Sequence, residues 1–187
     1  TITFTQQTLP QLCLILDQIL NNSKKFDNQY HTGFRNQVDV WPIKPIPVII
    51  KFLLKNKKFC EGKVLVDLGC GDAALAQKFL KKVPQETTEN QKFEFKLFKN
   101  IISIDLVASQ PYVTKGDMAN TGLESSAADF CIFSLSLMGV NYKDFLKEGA
   151  RILKIGGVMV ILEITSRMPD TTSFSRVVEN YGMNLAQ

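Results

Sequence analysis

Lys63-Val64-Leu65-Val66-Asp67-Leu68-Gly69-Cys70-Gly71-Asp72 is the stretch whose reading decides the fold of this chain. Its short apolar, β-branched run has the pattern of a strand buried on both faces. The run ends on an acidic residue and leads into Gly-Cys-Gly. Residues 72–80, Asp-Ala-Ala-Leu-Ala-Gln-Lys-Phe-Leu, then begin a helix expected to run to about Val83, with Asp72 placed to cap it. Strand, glycine turn and helix form the first unit of a doubly wound α/β domain that binds a nucleotide. Gly69 and Gly71 permit positive φ and let a ligand approach the backbone closely.

The nucleotide can be narrowed. A dinucleotide fingerprint would put a third glycine where this chain has Ala74, a replacement some dinucleotide folds tolerate. Asp67 argues more strongly. A carboxylate at the strand tip repels phosphates but suits the ammonium of an amino acid. Asp-x-Gly-x-Gly resembles the glycine turn of S-adenosylmethionine-dependent methyltransferases. The other reading is a tight turn without a ligand.

A length of 187 residues suffices for one compact domain with a sizeable core, and 45% hydrophobic with 21% charged residues is ordinary for a globular chain. No apolar run approaches the roughly 18 residues of a membrane span. Thr1 is not an initiator methionine, so a targeting signal upstream would be invisible. Cys13, Cys60, Cys70 and Cys131 are scattered without a Cys-x-x-Cys pair and His31 is the only histidine, which speaks against a metal centre or disulfide framework. The net charge of +4 is compatible with a polyanionic partner without identifying one.

Leu9, Leu12, Leu16 and Ile19 have helical spacing within residues 8–20. Pro42, Pro45 and Pro47 punctuate the approach to a second helix ending at Asn56, with Pro47 suited to its first turn. Residues 1–60 read as a helical, lid-like extension packed on a core of residues 61–187. After a break at Pro84, residues 92–98 alternate apolar and charged groups as a half-exposed strand would. Core strands follow at residues 101–105, 112–115, 128–134 and 158–163, with helices at residues 144–153 and 172–181, the last ended by Gly182. Asp105 ends the second core strand, where a carboxylate accepts from both ribose hydroxyls; a solvated strand-end aspartate is the plainer reading. Asp117 and Met118 follow the third, placed to meet an adenine amino group and ring, or to serve as a turn aspartate and a core methionine. The expected architecture is a Rossmann-like α/β sheet with helices on both faces, truncated at the C-terminus so that its closing strands are missing.

Several blocks together resemble the nucleomethylin, or ribosomal RNA-processing protein 8, methyltransferases. They are Tyr30-His31-Thr32-Gly33-Phe34 with Gln37-Val38 and Trp41-Pro42, then Asp67 to Asp72, then Asp117-Met118-Ala119. Ser136-Leu137-Met138-Gly139-Val140-Asn141, Asp144-Phe145-Leu146 and Arg151-Ile152-Leu153-Lys154 complete the set. The resemblance covers about residues 30–182. It implies a nucleolar, nuclear enzyme of ribosome biogenesis that methylates N1 of an adenosine in large-subunit ribosomal RNA, with S-adenosylmethionine as cofactor. It implies cofactor contacts at His31, Gly69, Asp105, Asp117 and Met118, joined by Ser134 through its backbone; Asp67 and Gly71 belong to the glycine turn itself. Two departures stand out: residues 84–100 form a longer segment than the family suggests, and the closing strands are absent. A monomer without metal or membrane attachment is the expectation, with chromatin-silencing partners implied by some relatives.

Adenine N1 has a free lone pair and no proton at neutral pH, so an in-line methyl transfer needs alignment and dryness rather than a general base. No catalytic base is nominated. Tyr30, Phe34 and Trp41 are candidates to stack on an extruded adenine, or are packed lid aromatics; Arg35 meets phosphate or solvent. Lys51, Lys55, Lys57, Lys58, Lys81 and Lys82 form either a basic rim or, more plainly, solvated helix faces. The Asn/Asp-Pro-Pro-aromatic signature of amino-group methyltransferases is missing after the fourth strand, and Cys131 lies inside a strand, as a core residue rather than a nucleophile. A small-molecule methyltransferase and a cofactor-sensing subunit of a silencing complex remain as alternatives, because fold alone does not settle function.

Overall fold

Period-two alternation sorts the side chains of the central strands into two apolar layers. The computed structural model describes residues 2–6, 44–81, 94–137, 139–163 and 171–185. In chain order the elements are β1 (Ile2–Gln6), α1 (Pro45–Lys55), α2 (Lys57–Cys60), β2 (Val64–Leu68), α3 (Ala74–Phe79), β3 (Asn100–Asp105), β4 (Val113–Lys115), β5 (Ala128–Ser134), α4 (Tyr142–Ile152), β6 (Leu153–Leu162), α5 (Thr171–Glu179) and β7 (Met183–Leu185).

The strands form one sheet in the order β4-β3-β2-β5-β6-β1-β7. Strands β2 to β6 are parallel, while β1 runs antiparallel to both β6 and β7. From β2 the chain steps outward through β3 to β4, then returns to β5 on the other side of β2. The strand order therefore reverses between β2 and β5, and a ligand crevice forms at the carboxyl ends of strands at such a point.

One layer holds Leu65, Ile101, Phe130, Ile132, Val158 and Val160 beneath Ile49 and Leu53 of α1 and Leu75 and Phe79 of α3. The opposite layer holds Val66, Ile104, Cys131, Phe133 and Met159 beneath Phe145 and Leu146 of α4 and Phe174 of α5. Helices thus cover both faces, as a parallel sheet requires. Cys131 is fully buried, and its thiol donates to the Gly149 carbonyl at 3.5 Å, the core role expected of it.

Several local expectations are corrected. Helix α3 starts after Ala73, which takes a left-handed φ of 53°, and no side chain caps it. Asp72 is therefore not the cap; its carbonyl accepts from Gln77 Nε2 at 2.7 Å. The helix ends at Phe79, short of Val83, because Leu80 is extended and bridges Phe95. Residues 95–98 do not form the expected strand. Phe95 and Phe98 are both buried, and Leu97 between them has φ 72°, so the segment turns to send both rings inward. Helix α1 begins at Pro45, which keeps Pro47 in its first turn as expected. The sheet is also not left open beside β6. A short strand follows Gly182, and β1 lies between it and β6, with Ile2 opposite Ile161 and Thr5 opposite both Val158 and Asn184. The expected helix over residues 8–20 and the loop after Pro84 lie outside the described residues.

Candidate functional site

The glycine turn is held from the neighbouring strand. Gly69 N–H and Cys70 N–H donate to the Ile104 carbonyl at 2.9 and 3.2 Å, and Gly71 N–H donates to Asp105 Oδ2 at 2.8 Å. Val107 N–H adds a donor to Asp105 Oδ1 at 3.2 Å, so Asp105 organises the turn as well as its own loop. Gly69 has φ 72°, and a Cβ built on it would lie 2.5 Å from Ser136 Cβ and 3.4 Å from Met118 Sδ. Only glycine fits there, because three loops converge on its Cα. Gly71 has φ 56° with open space on its Cα, which leaves its backbone accessible.

Asp67 sits beneath this turn. Alternation places it on the α1 and α3 side of β2, beside Ser103 of β3 and Ile132 of β5 in the ladder. It is 1% exposed, and among the described residues neither carboxylate oxygen has a hydrogen-bond partner; the buried Oγ atoms of Ser103 and Ser136 share that state. Burial first, and the Asp105 charge second, push the Asp67 carboxyl up to about 7. Three orphaned polar side chains at the carboxyl end of the sheet are a local exception to the rule that buried polar groups are paired.

The remaining loops complete the crevice. Asp117 follows β4, is exposed, and accepts from Ala119 N–H at 2.8 Å in a tight turn, while Met118 is half-buried against the α4 layer. Ser134 ends β5 one step beyond the Leu68–Phe133 pair, and position alone joins it to the group. The chain then turns sharply: Leu135 is buried with φ 58°, rare for a branched residue, and its N–H donates to the Leu162 carbonyl at 2.8 Å. Leu137 N–H donates to Glu163 Oε1 at 2.7 Å, so the residue after β6 fixes the Ser136-Leu137 loop.

Behind the Asp117 loop, Glu148 of α4 is buried and accepts from Thr121 N–H at 2.9 Å, Thr121 Oγ1 at 2.7 Å and Arg151 Nε at 2.7 Å. Arg151 also donates to the Leu123 carbonyl. The Arg151 hydrogen bond first, then those of Thr121 against the opposing effect of burial, hold the Glu148 carboxyl down at about 2.

Of the sequence-predicted site residues, Gly71 and Asp105 are directly bonded, Gly69 and Met118 are in near contact, and Asp67 feels Asp105 electrostatically. Asp117, next to Met118 in the chain, follows β4 and Ser134 ends β5, the strands that flank β3 and β2. His31, the stacking candidates Tyr30, Phe34 and Trp41, and Met138 lie outside the described residues. Ser103 and Glu163 escaped the sequence reading. Ser103 carried a signal, being the one polar residue at an inward position in Ile101-Ile102-Ser103-Ile104. Among the described residues there is no cluster of metal-ligating side chains, and no helix is long and apolar enough to cross a membrane.

A model of the family described as hypothetical methyltransferase matches residues 16–187. The chain belongs to this methyltransferase family. Its curated relatives carry the name anticipated from the sequence blocks. The ribosomal RNA-processing protein 8 of Dictyostelium discoideum is 39% identical over 158 residues, covering 84% of this chain and 36% of that protein. That of Arabidopsis thaliana is 39% identical over 152 residues, 81% of this chain and 45% of that protein. The 25S rRNA (adenine(645)-N(1))-methyltransferase of Schizosaccharomyces pombe is 38% identical over 146 residues, 75% of this chain and 42% of that protein. The chain therefore spans less than half the length of these relatives. Among solved structures, the [4+2]-cyclase SpnF superposes with a TM-score of 0.57 at 15% identity, over 82% of this chain and 69% of that one. The Burkholderia thailandensis 1,6-didemethyltoxoflavin-N1-methyltransferase, solved with S-adenosylhomocysteine bound, superposes at 0.53 with 13% identity, over 82% of this chain and 72% of that one. At such identities the likeness concerns the fold: the methyltransferase family member has the Rossmann-like sheet expected of it.

Proposed function

We propose that this chain is the catalytic core of an S-adenosylmethionine-dependent RNA methyltransferase that modifies N1 of an adenosine in large-subunit ribosomal RNA. Membership of a methyltransferase family supports the reaction class, and the names of relatives 39% and 38% identical over the aligned residues support the acceptor. The same names favour a nucleolar site of work.

The observation that carries the cofactor reading is the buried carboxyl of Asp67, which has no hydrogen-bond partner among the described residues, beneath an accessible glycine turn. An ammonium ion is the partner it lacks, and the sulfonium donor has one on its amino-acid end. When bound, the cofactor supplies an electrophilic methyl group. The chain's own residues bind and orient. Asp67 and the Gly69–Gly71 backbone would hold the amino-acid end, Asp105 the ribose hydroxyls, and Asp117 with Met118 the adenine; Ser134 would join them through its backbone, while the loop it opens faces the acceptor. His31 joins this set on sequence alone. Because N1 is unprotonated, none of these side chains has to remove a proton. Their task is to align the acceptor and exclude water.

The test is to incubate the protein and labelled cofactor with large-subunit RNA lacking the modification, then map reverse-transcription stops. Label and stop at one adenosine support the proposal. Labelling of small metabolites alone would replace it with a small-molecule methyltransferase. Cofactor binding without transfer to RNA, in the full-length protein, would replace it with a cofactor-sensing role in a silencing complex.

A further inference from the structure

The two ends of the sheet differ in charge. Among the described residues, the carboxyl ends carry Asp67, Asp105, Asp117 and Glu163, with Lys115 and Lys143 as nearby cations. An acidic mouth suits a sulfonium donor and repels a phosphate chain. An RNA acceptor must then be held chiefly by charges elsewhere.

The opposite end supplies them. Lys99 immediately precedes β3, Lys63 immediately precedes β2, and Lys154 is the second residue of β6. Since β3, β2, β5 and β6 are neighbours in that order, these three lysines stand along one edge of the sheet. At roughly 4.8 Å per strand the row spans about 15 Å, comparable with several phosphate repeats of a nucleic-acid strand. Lys99 N–H donates to the Lys63 carbonyl at 2.8 Å and Gly62 N–H to the Leu97 carbonyl at 2.9 Å, which ties the two approaches together. Helix α2 adds Lys57 and Lys58, both exposed, just before the same edge.

Two carboxylates lie among them. Asp129, at the start of β5, accepts from Val64 N–H and pairs with Lys63 at 3.6 Å and Lys154 at 2.9 Å, and it is largely enclosed. The lysine side chains stay 44% and 42% exposed. Glu61, in the turn after α2, is exposed. Five ammonium groups drawn from four segments of chain thus gather beside Asp129, already enclosed, and Glu61; towards β6 the edge also holds Glu124, whose charge acts on Arg151. In the sequence only Lys57 and Lys58 of these five stand among the candidates for a basic rim; the sheet brings Lys63, Lys99 and Lys154 to the same edge.

We propose that the amino-terminal edge of the sheet is a docking surface for the phosphate backbone of RNA, distinct from the methyl-transfer mouth. It rests on the reading that RNA is the acceptor. The five-residue β2 separates edge from mouth by roughly 15–20 Å. The two surfaces are therefore engaged together only by an RNA that bends round or extends past the domain. A short oligonucleotide reaches the mouth alone.

The test compares wild type with the triple variant Lys57→Gln, Lys58→Gln, Lys99→Gln, whose side chains are exposed and lie outside the cofactor machinery. A control triple at Lys78, Lys147 and Arg176, each changed to Gln, removes the same charge elsewhere, and the Lys→Arg triple at the edge positions preserves it. Binding of a structured ribosomal RNA fragment is measured against salt concentration, together with cofactor affinity. The edge variant is expected to lower the slope of log K against log salt by about 2–3 and to weaken RNA binding at least tenfold at low salt. The control and the Arg triple are expected to keep the wild-type slope, with cofactor affinity unchanged in all. An edge variant with the wild-type slope, beside a wild type that binds and methylates RNA, overturns the docking surface alone. A wild type that binds no RNA overturns the function reading together with it. Equal loss in edge and control variants reduces the effect to net charge and also overturns it, as does loss of binding to polyglutamate but not to RNA, which would indicate an acidic protein partner.

Discussion

A carboxyl group sealed beneath Gly69 and raised to about 7 is half protonated near neutrality. Its folded value lies above the ordinary 3.8, so it favours folding most below that ordinary value, and its contribution is lost as pH rises toward about 7. An ammonium-bearing ligand reverses the preference by favouring the ionised form. Cofactor affinity is expected to weaken as pH falls below about 7, by up to about tenfold per unit, and to be flat over that range in Asp67→Asn. Calorimetry in buffers of different ionisation enthalpy checks this by reading proton release on binding. Glu148 behaves in the opposite sense. Its value of about 2 lies below the ordinary 4.5, so its stabilisation is present above 4.5 and is lost as pH falls toward about 2. Glu148→Ala leaves Thr121 and Arg151 without their acceptor and is expected to cost about 2–3 kcal/mol at neutral pH, read from urea midpoints. The wild-type advantage over this variant is expected to shrink in acid.

Each strand of this sheet is short enough that one misplaced atom at its end matters. Gly69→Ala places a methyl 2.5 Å from Ser136 Cβ at a φ of 72° and pushes apart the loops after β2 and β5. A loss of about 1–3 kcal/mol and of most cofactor affinity is expected, measured by thermal melts and titration. The central elements were legible because their signal is local. Phe130-Cys131-Ile132-Phe133 is an apolar run within the expected strand over Ala128–Ser134, and the structure forms a strand over those same residues. The misreadings were decided by long-range contacts. Phe93-Glu94-Phe95-Lys96 alternates like a strand, yet Phe95 and Phe98 both turn into the core against Phe79 and Phe130. Asp72 had the identity of a cap, but the left-handed Ala73 takes the N-terminal position of α3. The glycine turn could be read from its motif and Asp105 from its place at the end of a core strand, although its spacing from Gly71 is longer than usual. The pinning of Leu137 by Glu163 could not, because 26 residues separate the two.

At the scale of the molecule, the fold depends on a strand whose partners are remote in sequence. Ile2-Thr3-Phe4-Thr5 alternates apolar and polar residues, which is a strand signal, but one too short to announce that its neighbours begin more than 150 residues away. Thr5 pairs on one side with Val158 and on the other with Asn184, so an amide pointing either way is flanked by a partner strand. Thr5→Pro therefore disrupts the ladder whichever side the amide faces, and a loss of about 1–3 kcal/mol with increased aggregation is expected, checked by melting and light scattering. This placement also sets an interval during biosynthesis. Strand β1 is translated roughly 150 residues before β6 and further still before β7. At about 5–20 residues per second, Ile2–Gln6 waits roughly 8–30 seconds for the first of these neighbours. Throughout that interval a nascent-chain chaperone has a ready foothold, which β6 and β7 withdraw as they emerge.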